Sequence, residues 1–325
     1  MDSFFKLEKP EAVHEAAEKK RGMHWALELL VFVAVFLIGE IAEFAFLLPG
    51  MLIMMFTNAD YVNATLTGDI ARITEISVQI STSDIYVIWS LFATLGMILI
   101  AFLFCKLLQK RPLRTLGFRR EGILKEYIIG IAAGFLVFSA AVLLCVVTGA
   151  LELGGMSPAF SAGTFLLFTM GFMIQGMSEE VLCRGYFMVS VARRYPVVVA
   201  ILANSLFFAA LHLLNQGISV LAFLNLVLFG VFASIYFLKR GNIWGVAAFH
   251  SVWNLVQGNF YGIRVSGMEM QCSVLQSDMV TGKEIWNGGA FGLEGGLAVT
   301  IVYVAGIAVL LCMKGKKSVQ ESQPE

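Results

Sequence analysis

The sequence predicts an all-α, polytopic membrane helix bundle of about eight transmembrane helices, with both termini in the cytoplasm. Three observations predict it: the composition, a series of long apolar runs, and the placement of Lys and Arg. Of 325 residues, 58% are hydrophobic and 14% are charged, and the mean hydropathy is +0.80. A soluble domain carries about a quarter charged residues, so lipid is expected to surround most of this chain. The formal net charge is zero, which points to no nucleic-acid partner.

A spanning helix needs about 20 mostly apolar residues. Eight runs are candidates: 25–48, 86–105, 127–149, 162–190, 197–213, 218–238, 242–258 and 296–313. The first is too long for a signal-peptide core of roughly 7–15 residues and reads as a retained helix. The fifth and seventh are short. With residues 1–24 in the cytoplasm, the cytoplasmic segments hold 19 of the 23 Lys and Arg. The outer segments hold only Arg72, Arg264 and Lys283. Basic residues mark cytoplasmic loops, and deleting one span would invert this pattern downstream. Two outer stretches, 57–84 and 259–295, are polar and long enough to hold a short helix or a cover. The tail from Lys314 is expected to be disordered. The five cysteines, Cys105, Cys145, Cys183, Cys272 and Cys312, form no CxxC pair. No disulfide framework or thiolate zinc site is expected.

An ionisable side chain at membrane depth is costly and therefore faces the protein interior or a water-filled cavity. The spans hold few: Glu28, Glu40 and Glu43 in the first, Glu179, Glu180 and Arg184 in the fourth, His212 in the fifth, and His250 with Asn254 in the seventh. Glu28 is expected to be solvated near the cytoplasmic surface. Glu40 and Glu43 are expected near the outer interface or beside an unseen partner, outside the catalytic set. Glu180 and Arg184, Phe208 and His212, and His250 and Asn254 are each four apart, so each pair shares a helix face. At about 1.5 Å per residue from the cytoplasmic ends, Glu179 lies about 21 Å deep, His212 about 22 Å and His250 only about 12 Å. With tilt and soft helix boundaries these residues could meet in one cavity, although a mismatch remains for His250.

If the three faces converge, the chemistry is defined. A buried carboxylate can hold a water and take its proton, an imidazole can orient that water, and a second His with an Asn can stabilise an oxyanion. These parts describe peptide hydrolysis without a covalent intermediate. The bland readings are a structural Glu180–Arg184 ion pair, a packing His212, and polar contacts between helices from His250 and Asn254. Two His and two Glu could also bind zinc, although the HExxH pattern is absent. A proton-relay transporter uses similar residues, but no repeat of the kind common in transporters is found.

Ser178-Glu179-Glu180-Val181-Leu182-Cys183-Arg184-Gly185 resembles the EExxxR motif of the CPBP family (CAAX protease and bacteriocin-processing proteins). Phe208 to His212 matches its FxxxH motif and His250 to Asn254 its HxxxN motif, in the family's order. The stretch Arg111-Pro112-Leu113-Arg114-Thr115-Leu116-Gly117-Phe118 is similar to a segment often found upstream. The resemblance covers about 160–258. It implies an intramembrane glutamic endopeptidase like the type II CAAX prenyl endopeptidases. Carried over, Glu179 is the water-activating base and His212 helps bind the water. His250 and Asn254 stabilise the oxyanion, while Glu180 and Arg184 support the site. Cys183 stands where many members have an aromatic or aliphatic residue.

The expected organisation is a cytoplasmic amphipathic segment 1–24, helices 25–158 with a basic loop 106–126, a CPBP-like core 159–258, an outer loop 259–295, and a last helix and tail 296–325. The expected substrate is a membrane-associated peptide or protein, prenylated or bacteriocin-like, and no cofactor is expected, with zinc as the alternative. A prokaryotic plasma membrane is the expected location. A transporter and a non-catalytic bacteriocin-immunity protein are the alternative functions.

Overall fold

The computed structural model describes residues 7–19 and 21–313. The polar tail from Lys314 lies outside the described residues, as do residues 1–6 and 20 of the amphipathic N-terminal segment.

Each of the eight apolar runs is helical over most of its length. A short helix α1 (Glu11–Lys19) precedes α2 (Trp25–Thr57), α3 (Ala59–Thr67) and α4 (Ile70–Ser81). Next come α5 (Asp84–Ala93) and α6 (Leu95–Leu103), which continue through a π-helical turn at Phe104–Leu108 as one rod. Then follow α7 (Ile123–Val147), strand β1 (Leu151–Met156) and α8 (Ala162–Glu180). A π-helical segment, Val181–Met188, joins α8 to α9 (Val189–Ala192). The chain continues through α10 (Val197–Leu211), α11 (Val220–Arg240) and α12 (Trp244–Leu255), with a π-helical turn Val256–Phe260. Strand β2 (Leu275–Met279), a four-residue α13 (Glu284–Asn287) and α14 (Leu297–Cys312) complete it.

Four of these segments are long and apolar enough to cross a membrane: Trp25–Thr57, Asp84–Leu108, Ile123–Val147 and Val220–Arg240. Two shorter apolar helices, Val197–Leu211 and Leu297–Cys312, pack beside them. The outward faces carry large exposed hydrophobics such as Leu30, Ile41, Leu124, Leu136, Leu202 and Val309. Water would penalise such contiguous apolar surface and lipid does not. The chain is a helical membrane protein.

The all-helical expectation needs one addition. β1 and β2 pair antiparallel, Leu151 opposite Met279 and Glu152 opposite Asp278, with a bulge before Met156 opposite Leu275. The pairing ties the segment after α7 to the segment before α13, and neither strand was legible because each is short and flanked by glycine or polar residues. The stretch 57–84, expected to be long enough for a short helix, holds α3 and α4. Helix α2 runs nine residues past its expected end at 48, through Pro49. The Trp89 indole donates to the Phe46 carbonyl at 3.1 Å, in the turn that the proline ring disturbs.

Helix α12 is central and packs against both α7 and α8. Without a hydrophobic driving force between helices in lipid, close packing needs small residues. On α7, a Cβ at Gly130 would lie 2.2 Å from the Gly245 carbonyl oxygen. On α8, a Cβ at Gly176 would lie 2.5 Å from Ser251 Oγ. These two glycines bring backbones to side-chain distance beside the polar motifs.

Gly130→Ala is therefore expected to lower the thermal unfolding midpoint in detergent, at a cost of about 1–3 kcal/mol typical of overpacking. Gly163→Ala, where a Cβ meets open space, should leave the midpoint unchanged or raise it. Equal midpoints for the two variants would contradict this packing.

Candidate active site

Helix α8 ends in Glu179 and Glu180, and the π-helical segment that follows carries Arg184. A π-helical segment inside a helix is a frequent mark of a functional site. Here it stays buried throughout, Val181 to Met188. Glu180 and Arg184 are both fully buried. Arg184 Nη1 donates to Glu180 Oε1 at 2.7 Å. The guanidinium carbon sits 4.7 Å from the Phe208 ring centroid and 5.3 Å from that of Phe229. Aromatic faces thus cover the cation on the sides where it has no carboxylate.

His250, on α12, sits between the two glutamates. Its Nδ1 donates to the same Glu180 Oε1 at 2.9 Å, because a carboxylate already paired with an arginine can only accept. Its Nε2 faces Glu179 Oε2 at 3.6 Å. With Nδ1 so engaged, Nε2 offers a lone pair in the neutral ring and an N–H in the imidazolium. Glu179 Oε1 accepts from Gln175 Nε2, one turn earlier on α8. Asn254 Nδ2 donates to Gln175 Oε1 at 3.0 Å. No donor among the described residues reaches Glu179 Oε2.

His212 caps the end of α10. Its Nδ1 donates to the Phe208 carbonyl at 2.8 Å, which leaves Nε2 as an acceptor in the neutral ring. Its ring lies 4.8 Å from that of Phe208. The structure thus joins Glu179, Glu180, Arg184, His250 and Asn254 in one network. It does not bond His212 to them, but His212 lines the same cavity as Glu179, His250 and Asn254. That cavity has a volume of about 460 Å³. Among the described residues, no group of three or more His, Cys, Asp or Glu side chains is arranged to hold a metal ion.

The expected depth difference does not keep His250 from the cavity, which it lines with Glu179 and His212. Asn242 and Ile243, before α12, are buried. Ile243 N donates to the Gly117 carbonyl at 3.0 Å, so the basic stretch 111–118 packs against the start of α12. Arg111 of that stretch is itself buried. It donates to Gln109 Oε1, Ser190 Oγ and Thr115 Oγ1 at 2.8, 3.0 and 3.1 Å, and to the Gly185 carbonyl at 3.4 Å. Burial pulls its pKa down to about 10, so it is still a cation at neutral pH.

One expectation for an acidic residue is corrected. Glu28 is not solvated: it is buried and accepts from Arg193 Nη2 at 3.1 Å and from the Met23 backbone at 2.9 Å. Glu40 and Glu43 both line the cavity. Nothing in the sequence pattern pointed to Glu294, from the turn before α14. It is buried against the cavity and accepts from Trp253 Nε1 at 3.2 Å and from Ser266 N and Oγ at 2.8 and 2.7 Å. Gln175 was missed too, although its place one turn before Glu179 on the same face was a usable signal.

Fold and site together define a helical membrane protein with a buried Glu–Arg–His network opening on an internal cavity. Residues 161–256 match the Rce1-like family model, described as type II CAAX prenyl endopeptidase Rce1-like. That match contains all three motifs and supports the CPBP/Rce1-like assignment of this segment, which is less than a third of the chain. No curated protein and no solved structure matches the chain.

Removing one partner of a buried ion pair strands the other charge. Arg184→Met is expected to destabilise the protein by about 3–5 kcal/mol, read by unfolding in detergent. The double variant Glu180→Gln/Arg184→Met should recover part of that loss. A double variant no more stable than Arg184→Met would show that the stranded Glu180 charge is not what destabilises the single variant.

Proposed function

We propose that this chain is an intramembrane endopeptidase in which Glu179 activates a water that attacks a peptide carbonyl. One observation carries the reading. Glu179 lines the cavity with one oxygen anchored by Gln175, while the other is buried beside His250 without a protein donor. A carboxylate so held is arranged to accept from water. In this reading the nucleophilic water lies between Glu179 Oε2 and His212 Nε2, and Glu179 takes its proton during attack. The tetrahedral oxyanion accepts from Asn254 Nδ2 and from His250 Nε2 in its protonated form. Glu179 then passes the proton to the departing amide nitrogen, the C–N bond breaks, and an acid and an amine leave. Glu180 and Arg184 hold His250 in place rather than touching substrate.

The substrate class in this proposal is a membrane-associated peptide, prenylated or bacteriocin-like. Eight helices cross a plasma membrane with both ends cytoplasmic, and the organism is prokaryotic. The match of the motif-bearing segment to the type II CAAX endopeptidase family supports the proteolytic reading. The alternation of basic residues along the sequence supports the eight-helix topology. The proposed chemistry needs no metal.

The experiment is cleavage of quenched peptides, with and without a farnesylated C-terminal cysteine motif, by purified protein in detergent. Glu179→Gln is expected to lower kcat by about 10²–10⁴-fold and Asn254→Ala by about 10²–10³-fold. A zinc chelator should leave the parent rate unchanged. Parent-level cleavage by correctly folded Glu179→Gln would sink the proposal. Loss with chelator and recovery with zinc would replace it with a metal mechanism.

A further inference from the structure

The most informative side chain outside the three motifs is Gln175. It sits on α8 one turn before Glu179 and lines the cavity. Its two amide ends do different things. The Nε2 group donates to Glu179 Oε1, and the Oε1 atom accepts from Asn254 Nδ2 at 3.0 Å. Gln175 thus bridges the first motif to the third across the α8–α12 interface.

The bridge has two geometric consequences. By occupying Glu179 Oε1, the glutamine leaves Oε2 as the oxygen beside His250 Nε2. By accepting one of the two N–H groups of Asn254, it fixes which way that amide is turned. An asparagine amide can flip, exchanging donor for acceptor at nearly the same shape. In the flipped state Asn254 would set its carbonyl against Gln175 Oε1, two acceptors face to face. The bridge therefore keeps an N–H of Asn254, and not its oxygen, available on the cavity side.

We infer that Gln175 is a positioning residue: it selects Glu179 Oε2 as the proton-accepting atom and holds the Asn254 amide in its donating orientation. The inference rests on the hydrolytic reading above, and its effect belongs in kcat, since neither contact touches a distant part of a substrate. Because Gln175 acts through both Glu179 and Asn254, the share of its effect carried by Asn254 should vanish once Asn254 is gone.

The test uses full-length protein and the quenched peptide that the parent cleaves fastest. Gln175→Met keeps size and flexibility and removes both hydrogen bonds. It is expected to lower kcat about 10–100-fold with KM within about twofold. Gln175→Met/Asn254→Ala should lose less beyond Asn254→Ala than Gln175→Met loses from the parent, a non-additivity expected of groups acting partly as a unit. Gln175→Glu keeps the acceptor for Asn254 but sets a carboxylate against Glu179, and should also be impaired. A readout independent of activity is the side-chain amide of Asn254 in [15N]asparagine-labelled protein. One of its protons should exchange with solvent more slowly in the parent than in Gln175→Met.

A Gln175→Met variant with parent kcat, an effect confined to KM, additive losses in the double variant, or an unchanged Asn254 exchange rate would each overturn the inference. Failure of the hydrolytic reading is separable. It would show as parent-level cleavage by Glu179→Gln, whereas failure of the positioning role leaves Glu179→Gln inactive and Gln175→Met active.

Discussion

The structure depends on one interaction: the fully buried contact in which Glu180 Oε1 accepts from both Arg184 and His250. An unpaired charge taken out of water costs several kcal/mol, so each member fixes the others. Arg184 makes Glu180 an ionised acceptor, Glu180 puts the His250 proton on Nδ1, and that tautomer sets what Nε2 can present to Glu179. A hydrogen bond between α8 and α12 thereby sets the protonation pattern at the cavity wall. The aromatic faces of Phe208 and Phe229 close the arginine off, which ties the second motif to the first without any direct bond from His212.

Backbone proximity makes that contact possible. Gly176 on α8 and Gly130 on α7 let α12 approach where a methyl group would collide. The π-helical segment after Glu180 supplies the other adjustment. Its Gly185 carbonyl is met by Arg111 from the folded-in basic stretch. The same stretch packs against the start of α12 through Gly117 and Ile243. A segment that looks in sequence like a plain basic loop is thus part of the site's foundation. Of its two arginines, Arg111 is consumed inside the protein and Arg114 is exposed and paired with Glu15.

The helices were legible because lipid leaves so few options: long apolar runs and segregated Lys and Arg are direct consequences of the solvent. The polar pairs at four-residue spacing were legible for the same reason, and Glu179, Glu180, Arg184, His250 and Asn254 do come together. What sequence could not carry was anything set by where a helix begins in space. A uniform rise counted along each helix made His250 look too shallow, yet it lines the cavity with Glu179 and His212. Glu28 looked solvated because Arg193, its partner 165 residues away, has no sequence signature. Glu294 lies in a glycine-rich turn with no periodicity to show which way it points. Glu40 and Glu43 were placed by depth alone, and depth says nothing about which face meets a cavity.

The proposed chemistry turns on whether Glu179 Oε2 holds a water poised for attack. The most direct measurement is an experimental structure in a lipid nanodisc at a resolution that shows ordered water. The expected result is a water within about 3 Å of both Glu179 Oε2 and His212 Nε2, with Glu179 Oε1 still bonded to Gln175. A metal ion bonded to Oε2, or a protein donor occupying it, would contradict that role for Glu179.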